Sequence, residues 1–262
     1  MGNFLNNFGD NIKTKINGIT YFSGFFKLVI VELLLFPKRK QVTATVLIRQ
    51  ILFTGFEALK LVSLIGLAIG GIIIIQGMGL LENFGQSDLV YTILIMVVTK
   101  ELGPIITAII LIARSGTAIS TELGNMVVNH EVEALYSIGV NPISYLIVPR
   151  ILGVMISFFA LSIYMNLAGL LGGYLVANIF SPFSFIEFGT KLMQKLTVKD
   201  AVVSQIKSLV FGFIISIISC YQGLSVNYAS TEVPQKTIKA VVSSLSWIII
   251  FDILIALIYY SI

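Results

Sequence analysis

The sequence predicts an all-α, polytopic membrane protein, in which an amphipathic surface helix near the amino terminus precedes five transmembrane helices. Charged residues make up 11% of the 262 residues, whereas about 25% is typical of globular proteins. The mean hydropathy of +0.96 leaves too little polar surface to cover a water-soluble domain. A soluble enzyme and a disordered chain are therefore both excluded.

Five apolar stretches are long enough to cross a bilayer, which takes about 20 predominantly apolar residues in a helix. The first stretch is longer than needed, so we expect it to tilt or to extend outside the hydrocarbon core. The predicted spans cover residues 51–81, 89–113, 151–176, 201–224 and 241–262.

Residues 20–36 form a shorter candidate helix, which contains Lys27 and Glu32 and is closed by Pro37. This composition favours an amphipathic helix on the inner membrane surface, with a sixth span as the alternative. The charges and the proline also exclude a cleavable signal peptide. We therefore divide the chain into an amino-terminal segment, 1–50, and a five-span domain, 51–262.

The distribution of basic residues predicts the orientation of the spans. With the amino terminus inside, eleven lysines and arginines fall on the inner side and three on the outer side. This asymmetry places the amino terminus in the cytoplasm and the carboxyl terminus outside. The basic run 38–40 lies between apolar segments, so we expect it to face lipid head groups rather than nucleic acid.

The three outer lysines, Lys191, Lys195 and Lys199, are four residues apart, and an apolar series follows the same spacing. Such spacing aligns each set on one helical face and predicts a short helix at the outer surface. Two interpretations remain open, namely a docking surface for a partner or anionic lipid and an interfacial turn of the chain. The apolar series consists of Phe188, Leu192 and Leu196.

Small residues mark the first and third spans, where Gly66 precedes Gly70 and Gly169 precedes Gly173 by four positions. Glycines at this spacing remove side chains from one helix face and allow a neighbouring backbone to approach. Packing within one bundle and a contact between subunits are both compatible with the pattern.

Lys100 and Glu101 lie near the middle of the predicted second span, directly before Gly103 and Pro104. A charge at this depth costs about 2.5–3.5 kcal/mol on insertion scales, so both side chains should face protein or water. Pro104 lacks a backbone donor, which predicts a kink or local unwinding. A polar-lined cavity and an interhelical ion pair with the intramembrane Asp252 are the two alternatives.

The connection after the second span predicts a short helix at about 129–139. Asn129 is a candidate N-cap, acidic residues in the first turn suit the helix dipole, and Gly139 ends the helix. Its charged and apolar residues suit a helix that inserts into a groove of another protein. The candidate contact residues are Glu131, Glu133, Leu135 and Tyr136.

The sequence contains no recognisable catalytic constellation. His130 is the only histidine and Cys220 the only cysteine, so neither a Cys-His pair nor a histidine-rich metal site is expected. Cys220 lies in an apolar run and is expected to be a packed thiol. The chain has no Gly-x-x-x-x-Gly-Lys-Ser/Thr motif, so any ATP would have to bind to a partner polypeptide.

An ordered series of motifs resembles the MlaE/YrbE permease family, the membrane subunits of ABC-type lipid transporters that work with MCE proteins. The resemblance runs from about residue 49 to the end of the chain, and Asp252 fits the last span of that family. The motifs are Glu101-Leu-Gly-Pro104, Arg114-x-Gly-x-Ala, Glu122-Leu-Gly-x-Met, Glu133-Ala-Leu-x-x-x-Gly, Asn141-Pro142, Pro149-Arg150 and Thr237-x-x-Ala-Val-Val-x-Ser.

The resemblance implies a homodimer seated on two cytoplasmic ATPases and beneath a periplasmic ring of MCE subunits. A bacterial inner membrane and a plastid envelope are both compatible with this, and the lack of a Ser/Arg-rich transit segment in the sequence favours the bacterial inner membrane. Segment 129–139 would be the coupling helix, and Lys100 and Glu101 would border a cavity for phospholipid or a related lipid. Lys100 replaces a frequent arginine and so lacks the planar fork that binds phosphate. Asn141 replaces a frequent aspartate, and both residues start turns well.

Two other functions are compatible with the residues. The intramembrane charges at Lys100, Glu101 and Asp252 could form the relay of an ion-coupled secondary carrier. The chain could also be a scaffold that anchors other subunits.

Overall fold

The computed structural model describes residues 20–35, 44–81, 92–180 and 185–261, and these residues form helices joined by short connections. The predicted all-α class is therefore confirmed. The basic run 38–40, Pro37 and the connection 82–88 lie outside the described residues. We number the helices in chain order: α1 (20–35), α2 (Ala44–Ile51, Leu52–Phe56 and Glu57–Leu81), α3 (from 92, with Ile95–Leu102, Gly103–Leu111, Ile112–Gly116 and Thr117–Val128), α4 (Glu131–Ser137), α5 (Ile143–Ile147 and Val148–Phe180), α6 (Phe185–Lys195), α7 (Val198–Leu224) and α8 (Glu232–Ser261).

Five of these helices are long and apolar enough to cross a membrane, which confirms the predicted number of spans. The apolar runs underestimate their length, because a helix continues into polar surroundings wherever its backbone hydrogen bonds continue. The largest correction concerns the second span, which ends at Val128 and not near Ala113. The observed spans are Val46–Gly77, Thr92–Val128, Ile143–Ile179, Val198–Leu224 and Glu232–Tyr259.

The main core lies around α5 and α7. Phe158 of α5 and Phe211 of α7 are fully buried and meet edge to face, with ring centroids 6.4 Å apart. Helices α2 and α3 pack around this pair through Val62 and Leu111. By contrast, only 11% of the apolar window of α8 is buried, so most of its surface faces outward in the single chain.

The glycines of the first and third spans meet each other within this chain. A Cβ atom added at Gly70 would overlap the backbone of Gly169 and approach the nitrogen of Gly173 to 2.9 Å. An added Cβ at Gly66 would lie 2.9 Å from Cβ of Ala168. Packing within one bundle is thus the observed use of these small residues.

Helix α1 packs with one face against the bundle. The ring of Phe22 meets Tyr221 of α7 edge to face at 5.0 Å, and Val29 is fully buried. Glu32 is also buried and accepts hydrogen bonds from the Ser144 hydroxyl at 2.6 Å and from the Asn141 amide at 3.1 Å. The predicted helix is confirmed, while its position on the membrane surface stays a prediction.

Helix α6 buries Phe188 and Leu192, as its apolar spacing predicts, but its lysine series is shorter than expected. The chain leaves the helix after Lys195, and Thr197 begins α7 as its N-cap. Lys199 therefore belongs to a different helix from Lys191 and Lys195, and the expected continuous stripe of three lysines is wrong. We refer below to the two ends of the bundle as the α4 end and the α6 end.

Candidate functional site

Lys207 of α7 is the centre of a charged cluster between α3, α7 and α8. Its side chain is 1% exposed, and its Nζ lies 2.7 Å from Oε2 of Glu101 and 2.8 Å from Oδ1 of Asp252. The contact with Asp252 is an ion pair without hydrogen-bond geometry, whereas Lys207 donates a hydrogen bond to Glu101. A buried ammonium group is tolerated only when it is paired, so the two carboxylates explain the presence of Lys207 in a span.

A second cluster lies nearer the α6 end, where Lys100 forms an ion pair with Asp200 at 2.8 Å. The hydroxyl of Tyr259 donates to Asp200 at 2.5 Å and accepts from Lys100 at 3.3 Å. Asp200 also closes a capping box with Thr197, in which each side chain accepts from the other residue's backbone N–H. The start of α7 is therefore stabilised by the carboxylate that binds Lys100.

Pro104 connects the two clusters through the backbone of α3. The segment Ile95–Leu102 winds as a π-helix, and the N–H of Gly103 bonds to the carbonyl of Val98 five residues earlier. Proline has no N–H for the carbonyl of Lys100, and that carbonyl accepts from Nζ of Lys207 at 3.1 Å. The π-helical segment ends directly before Gly103 and Pro104, and the missing N–H of Pro104 leaves the carbonyl of Lys100 as an acceptor for Lys207.

The site contains three residues that the sequence indicated and three that it did not. Lys100 and Glu101 point to different partners, as expected for neighbours about 100° apart on a helix. Lys207 pairs with both Glu101 and Asp252. Lys100 forms its ion pair with Asp200 and not with Asp252. The missed residues are Asp200, Lys207 and Tyr259.

Helical spacing could have identified two of the missed residues. Asp200 and Lys207 are seven positions apart, which is about two turns, so they share one face of α7. The apolar run that began at Ala201 left Asp200 outside the predicted span. Lys207 is not visible in the hydropathy pattern, because one lysine does little to lower the hydropathy of a long aliphatic segment.

The space enclosed by these charges is small in the single chain. The cavity lined by Lys100, Glu101, Asp200, Lys207 and Tyr259 has a volume of about 10 Å³, which is close to the room that one water molecule needs. The sequence left a polar-lined cavity and an interhelical ion pair as alternatives. The single chain contains ion pairs at this point, and the space between them is too small for a lipid. Glu101 is nevertheless 35% exposed, so the cluster reaches the surface of the chain.

An apolar groove lies beside the cluster, between α2 and α3. Its volume is about 500 Å³, and Val97 and Leu102 of its lining flank Lys100 and Glu101 in the sequence. The other lining residues are Ile69, Ile72, Ile73, Gln76, Gly77 and Ile93. An exposed charged group next to an aliphatic groove is an arrangement that suits an amphiphilic molecule.

Helix α4 is shorter than predicted. Asn129 is the C-cap of α3 and not the N-cap of the next helix, because His130 takes a left-handed conformation with φ of 59° and α4 starts at Glu131. The acidic first turn is confirmed, and Gly139 follows with φ of +76°. The coupling residues expected here lie together on one short helix, on which Tyr136 is 60% exposed.

Two ion pairs join helices at the α4 end. Glu57 of α2 forms an ion pair with Arg114 of α3. Arg150 of α5 pairs with Glu122 of α3 at 2.9 Å. Arg150 and Glu122 line a cleft of about 810 Å³ between the start of α2, the end of α3 and α4.

Cys220 is buried, as expected for a packed thiol. Among the described residues, no three histidine, cysteine, aspartate or glutamate side chains form a group that could hold a metal ion.

Comparison with known proteins identifies the family. A family model described as permease MlaE matches residues 47–258. The chain is 34% identical to a probable ABC transporter permease protein of Rickettsia prowazekii over 83% of this chain and 84% of the relative. It is 30% identical to a probable ABC transporter permease protein of Rickettsia bellii over 99% of both chains. It is also 30% identical to the chloroplast protein TRIGALACTOSYLDIACYLGLYCEROL 1 of Arabidopsis thaliana, over 82% of this chain and 61% of the relative.

The family model covers most of the chain, including α4 and every residue of the charged clusters except Tyr259. The five apolar helices and the permease relatives make the chain a multi-pass membrane component of a transporter and not an enzyme. The chain belongs to the MlaE permease family of ABC transporters.

Proposed function

We propose that this permease moves phospholipid or a related lipid between membranes. The observation that carries this proposal is the apolar groove beside a charged cluster that reaches the chain surface at Glu101. The groove offers aliphatic contacts for acyl chains, and Lys100 and Glu101 offer charges for a head group. The name of the Arabidopsis relative contains that of a galactolipid, which supports a lipid substrate.

A homodimer supplies the chamber in this proposal. The cavity of about 10 Å³ in one chain is far too small for a lipid, and the clusters have an exposed edge at Glu101. Helix α8, which carries Asp252, leaves most of its apolar surface uncovered. Two copies that face each other across these surfaces would enclose the grooves and the charges in one shared space.

The energy comes from a partner ATPase, since ABC transporter permeases work with one and this sequence has no P-loop. Helix α4 is its proposed contact, through Glu131, Glu133, Leu135 and Tyr136. A half-buried Leu135 lines a pocket of about 250 Å³ next to Ile138, which is 73% exposed. Exposed apolar residues beside a pocket support a protein contact at this position. ATP is bound by the partner and not by this chain.

The proposed location is the bacterial inner membrane, with the amino terminus and α4 in the cytoplasm and the carboxyl terminus in the periplasm. The excess of basic residues on the α4 side supports this orientation. The opposite, α6 end of the bundle would then face a periplasmic MCE protein. The proposed amino-terminal segment, 1–50, and the five-span domain, 51–262, keep the boundaries expected from the sequence.

Reconstitution with and without the ATPase tests the function. Liposomes that contain the permease, the ATPase and a fluorescent phospholipid should show lipid movement only when ATP and the ATPase are both present. Glu101→Gln should slow that movement at least about tenfold, because Lys207 then loses one of its two carboxylates. Lys195→Gln, a change at an exposed lysine of α6, is the matched control and should have no effect.

Two outcomes would contradict the proposal. Lipid movement that continues without the ATPase and follows a proton gradient would favour the ion-coupled carrier. Normal movement in the Glu101→Gln variant would remove the cluster from the transport step and favour a scaffold. Mass spectrometry of lipids that copurify with the complex, compared between the native protein and a Lys100 and Glu101 double substitution, would identify the substrate class.

A further inference from the structure

Two connections meet at the α4 end, and each contains a residue with a rare backbone conformation. His130 precedes α4 and has φ of 59°, while Tyr228 lies between α7 and α8 and has φ of 57°. Among the described residues these are the only non-glycine positions with a positive φ. The left-handed region is unfavourable for side chains with a Cβ atom, so contacts in the folded state must hold both residues there.

The contact that holds them is mutual. The rings of His130 and Tyr228 stack with centroids 5.0 Å apart and an angle of 18° between their planes. Glu133, in the first turn of α4, contacts both rings: its Oε1 accepts from the Tyr228 hydroxyl at 2.6 Å, and its Oε2 lies 2.9 Å from Nδ1 of His130. We call these three residues the loop clamp.

The ionisation of the loop clamp suits a persistent contact near neutral pH. The hydrogen bonds from Tyr228 and His130 lower the pKa of Glu133, and the same bond to Glu133 raises the pKa of Tyr228. Glu133 is therefore a carboxylate and Tyr228 a neutral phenol over a wide range around pH 7. A hydrogen bond from a neutral donor to an ionised acceptor is stronger than one between two neutral groups.

Apolar packing lies next to the loop clamp. Val132 of α4 contacts a small buried cluster formed by Val127, Val226 and Val233, which come from α3, from the connection and from α8. The connection is also fixed to α8, because the N–H of Asn227 donates to Oε2 of Glu232 at 2.9 Å. Helix α4 thus contacts the α7–α8 connection in two ways, through the hydrogen bond between Glu133 and Tyr228 and through the packing of Val132 on the valine cluster.

This connection joins the two helices that carry most of the charged site. Helix α7 contains Asp200 and Lys207, and α8 contains Asp252 and Tyr259. A displacement of α4 that is transmitted to the connection would shift α7 and α8 at their shared end. Helix α3 provides a direct route as well, so the loop clamp adds a second path between α4 and the charges.

We propose that His130, Glu133 and Tyr228 are positioning residues that couple α4 to the α7–α8 connection, so that a partner bound at α4 moves the helices of the charged site. The inference rests on the proposed contact between α4 and an ATPase. It concerns residues away from the lipid groove and assigns a role to a pair of strained positions that the transport site does not use.

Hydrogen exchange on the whole complex tests the coupling. Permease in nanodiscs is compared with and without the ATPase, in the native form and with Tyr228→Gly, a change that keeps the left-handed backbone favourable while removing the ring and the hydroxyl. In the native protein, ATPase binding should slow exchange in 129–139 and also, by about tenfold, in 225–231. In Tyr228→Gly the slowing should persist in 129–139 and fall below about twofold in 225–231.

The variant series separates the ring from the hydroxyl. Tyr228→Phe keeps the ring stack and loses the hydrogen bond to Glu133. The slowing of exchange in 225–231 on ATPase binding should therefore lie between that of the native protein and that of Tyr228→Gly. His130→Asn keeps a residue that tolerates the left-handed conformation and loses the stack. In liposomes, Tyr228→Gly should reduce the lipid moved per ATP hydrolysed by about fivefold while ATP hydrolysis stays within about twofold of native.

The possible failures are distinct. ATPase binding could slow exchange in 129–139 and slow exchange in 225–231 equally in the native and Tyr228→Gly proteins. This outcome would overturn the coupling role of the loop clamp and leave the ATPase contact intact. Unchanged exchange in 129–139 on addition of ATPase to the native protein would overturn the contact itself and the coupling role with it. An unaltered ratio of lipid to ATP in Tyr228→Gly would also overturn the clamp.

Discussion

Two helix interfaces in this permease are formed by different kinds of residue. The interface between α2 and α5 is lined by glycines, and a Cβ added at Gly172 would overlap the backbone of Leu67. The interface between α3, α7 and α8 is lined by charges, and Lys207 at its centre is 1% exposed. In the first, backbones meet because side chains are absent, whereas in the second, long side chains bridge the helices.

The contrast shows how a span can tolerate two different departures from an ordinary aliphatic surface. Apolar residues give little preference for another helix over lipid, so close packing and polar contacts provide the specificity of helix association. The glycine interface depends on shape, and a single added methyl group disturbs it. The charged interface depends on balance, because each ion is stable only while its partners remain.

The largest expected effect is on the charged interface. Lys207→Met should lower the free energy of unfolding by about 3–5 kcal/mol, since Glu101 and Asp252 would lose the cation that they share. Unfolding of the purified protein in mixed micelles with increasing denaturing detergent measures the change. Lys195→Met, at an exposed position of α6, is the matched control and should change stability little.

A charge-neutral version of the same site sharpens this prediction. Combining Lys207→Met with Glu101→Gln and Asp252→Asn should restore most of the lost stability, because no unpaired ion remains in the cluster. Transport should stay defective in this triple variant. A triple variant as unstable as Lys207→Met would mean that packing of the lysine stem, and not charge balance, holds the three helices together.

The next effect is on the glycine interface. Gly70→Ala should lower the free energy of unfolding by about 1–3 kcal/mol, because the new methyl group overlaps backbone atoms of α5 that cannot rotate away. Gly189→Ala is the control, since no atom lies within 4 Å of its added Cβ. In α6 that change should increase stability by about 0.5–1 kcal/mol through helix propensity. Equal effects at both positions would contradict the close contact.

The two interfaces also differ in how well the sequence predicts them. Glycines four positions apart on two spans indicate that a neighbouring backbone approaches closely. The structure identifies that neighbour, since Gly70 of α2 meets Gly169 of α5 within the same chain. Lys100, Glu101 and Asp252 could be singled out because charges in apolar runs are rare. Their partners depend on how far each helix is rotated, and hydropathy does not contain that information.

Helix ends are less well defined by the sequence than the apolar spans. The apolar run ended near Ala113 because Arg114 follows it, yet α3 continues since Glu57 neutralises that arginine and the backbone pattern is not interrupted. Asn129 had the residue type of an N-cap, but the reversal of the chain occurs at His130. Tyr228 carries no sequence signal, because a left-handed tyrosine is recognisable only from the backbone.

A smaller effect is expected at the start of α7, where Asp200 serves both the helix and the charged interface. Thr197→Ala should lower stability by about 1 kcal/mol, because the N–H of Asp200 loses its side-chain acceptor. Thr197→Ser keeps the hydroxyl and is the control. The variant should also loosen the hold of Asp200 on Lys100, which can be followed as faster hydrogen exchange in residues 197–203. Identical exchange in the alanine and serine variants would separate the cap from the charged interface.

The smallest effect is expected at Glu133 of the loop clamp, whose carboxylate is exposed to water. It contrasts with the charged interface, where the ion pairs surround a buried lysine. The pKa of Glu133 is lowered by its bonds to Tyr228 and His130, so its contribution to stability is present above the ordinary glutamate pKa of 4.5 and is lost as the pH falls through the lowered value. Because the carboxylate is exposed, solvent screens most of this contribution. Exchange in residues 225–231, corrected for intrinsic pH dependence, should therefore increase as the pH falls below the ordinary glutamate range. Glu133→Gln should remove this acid-dependent step, and a step that persists in the variant would assign it to another group.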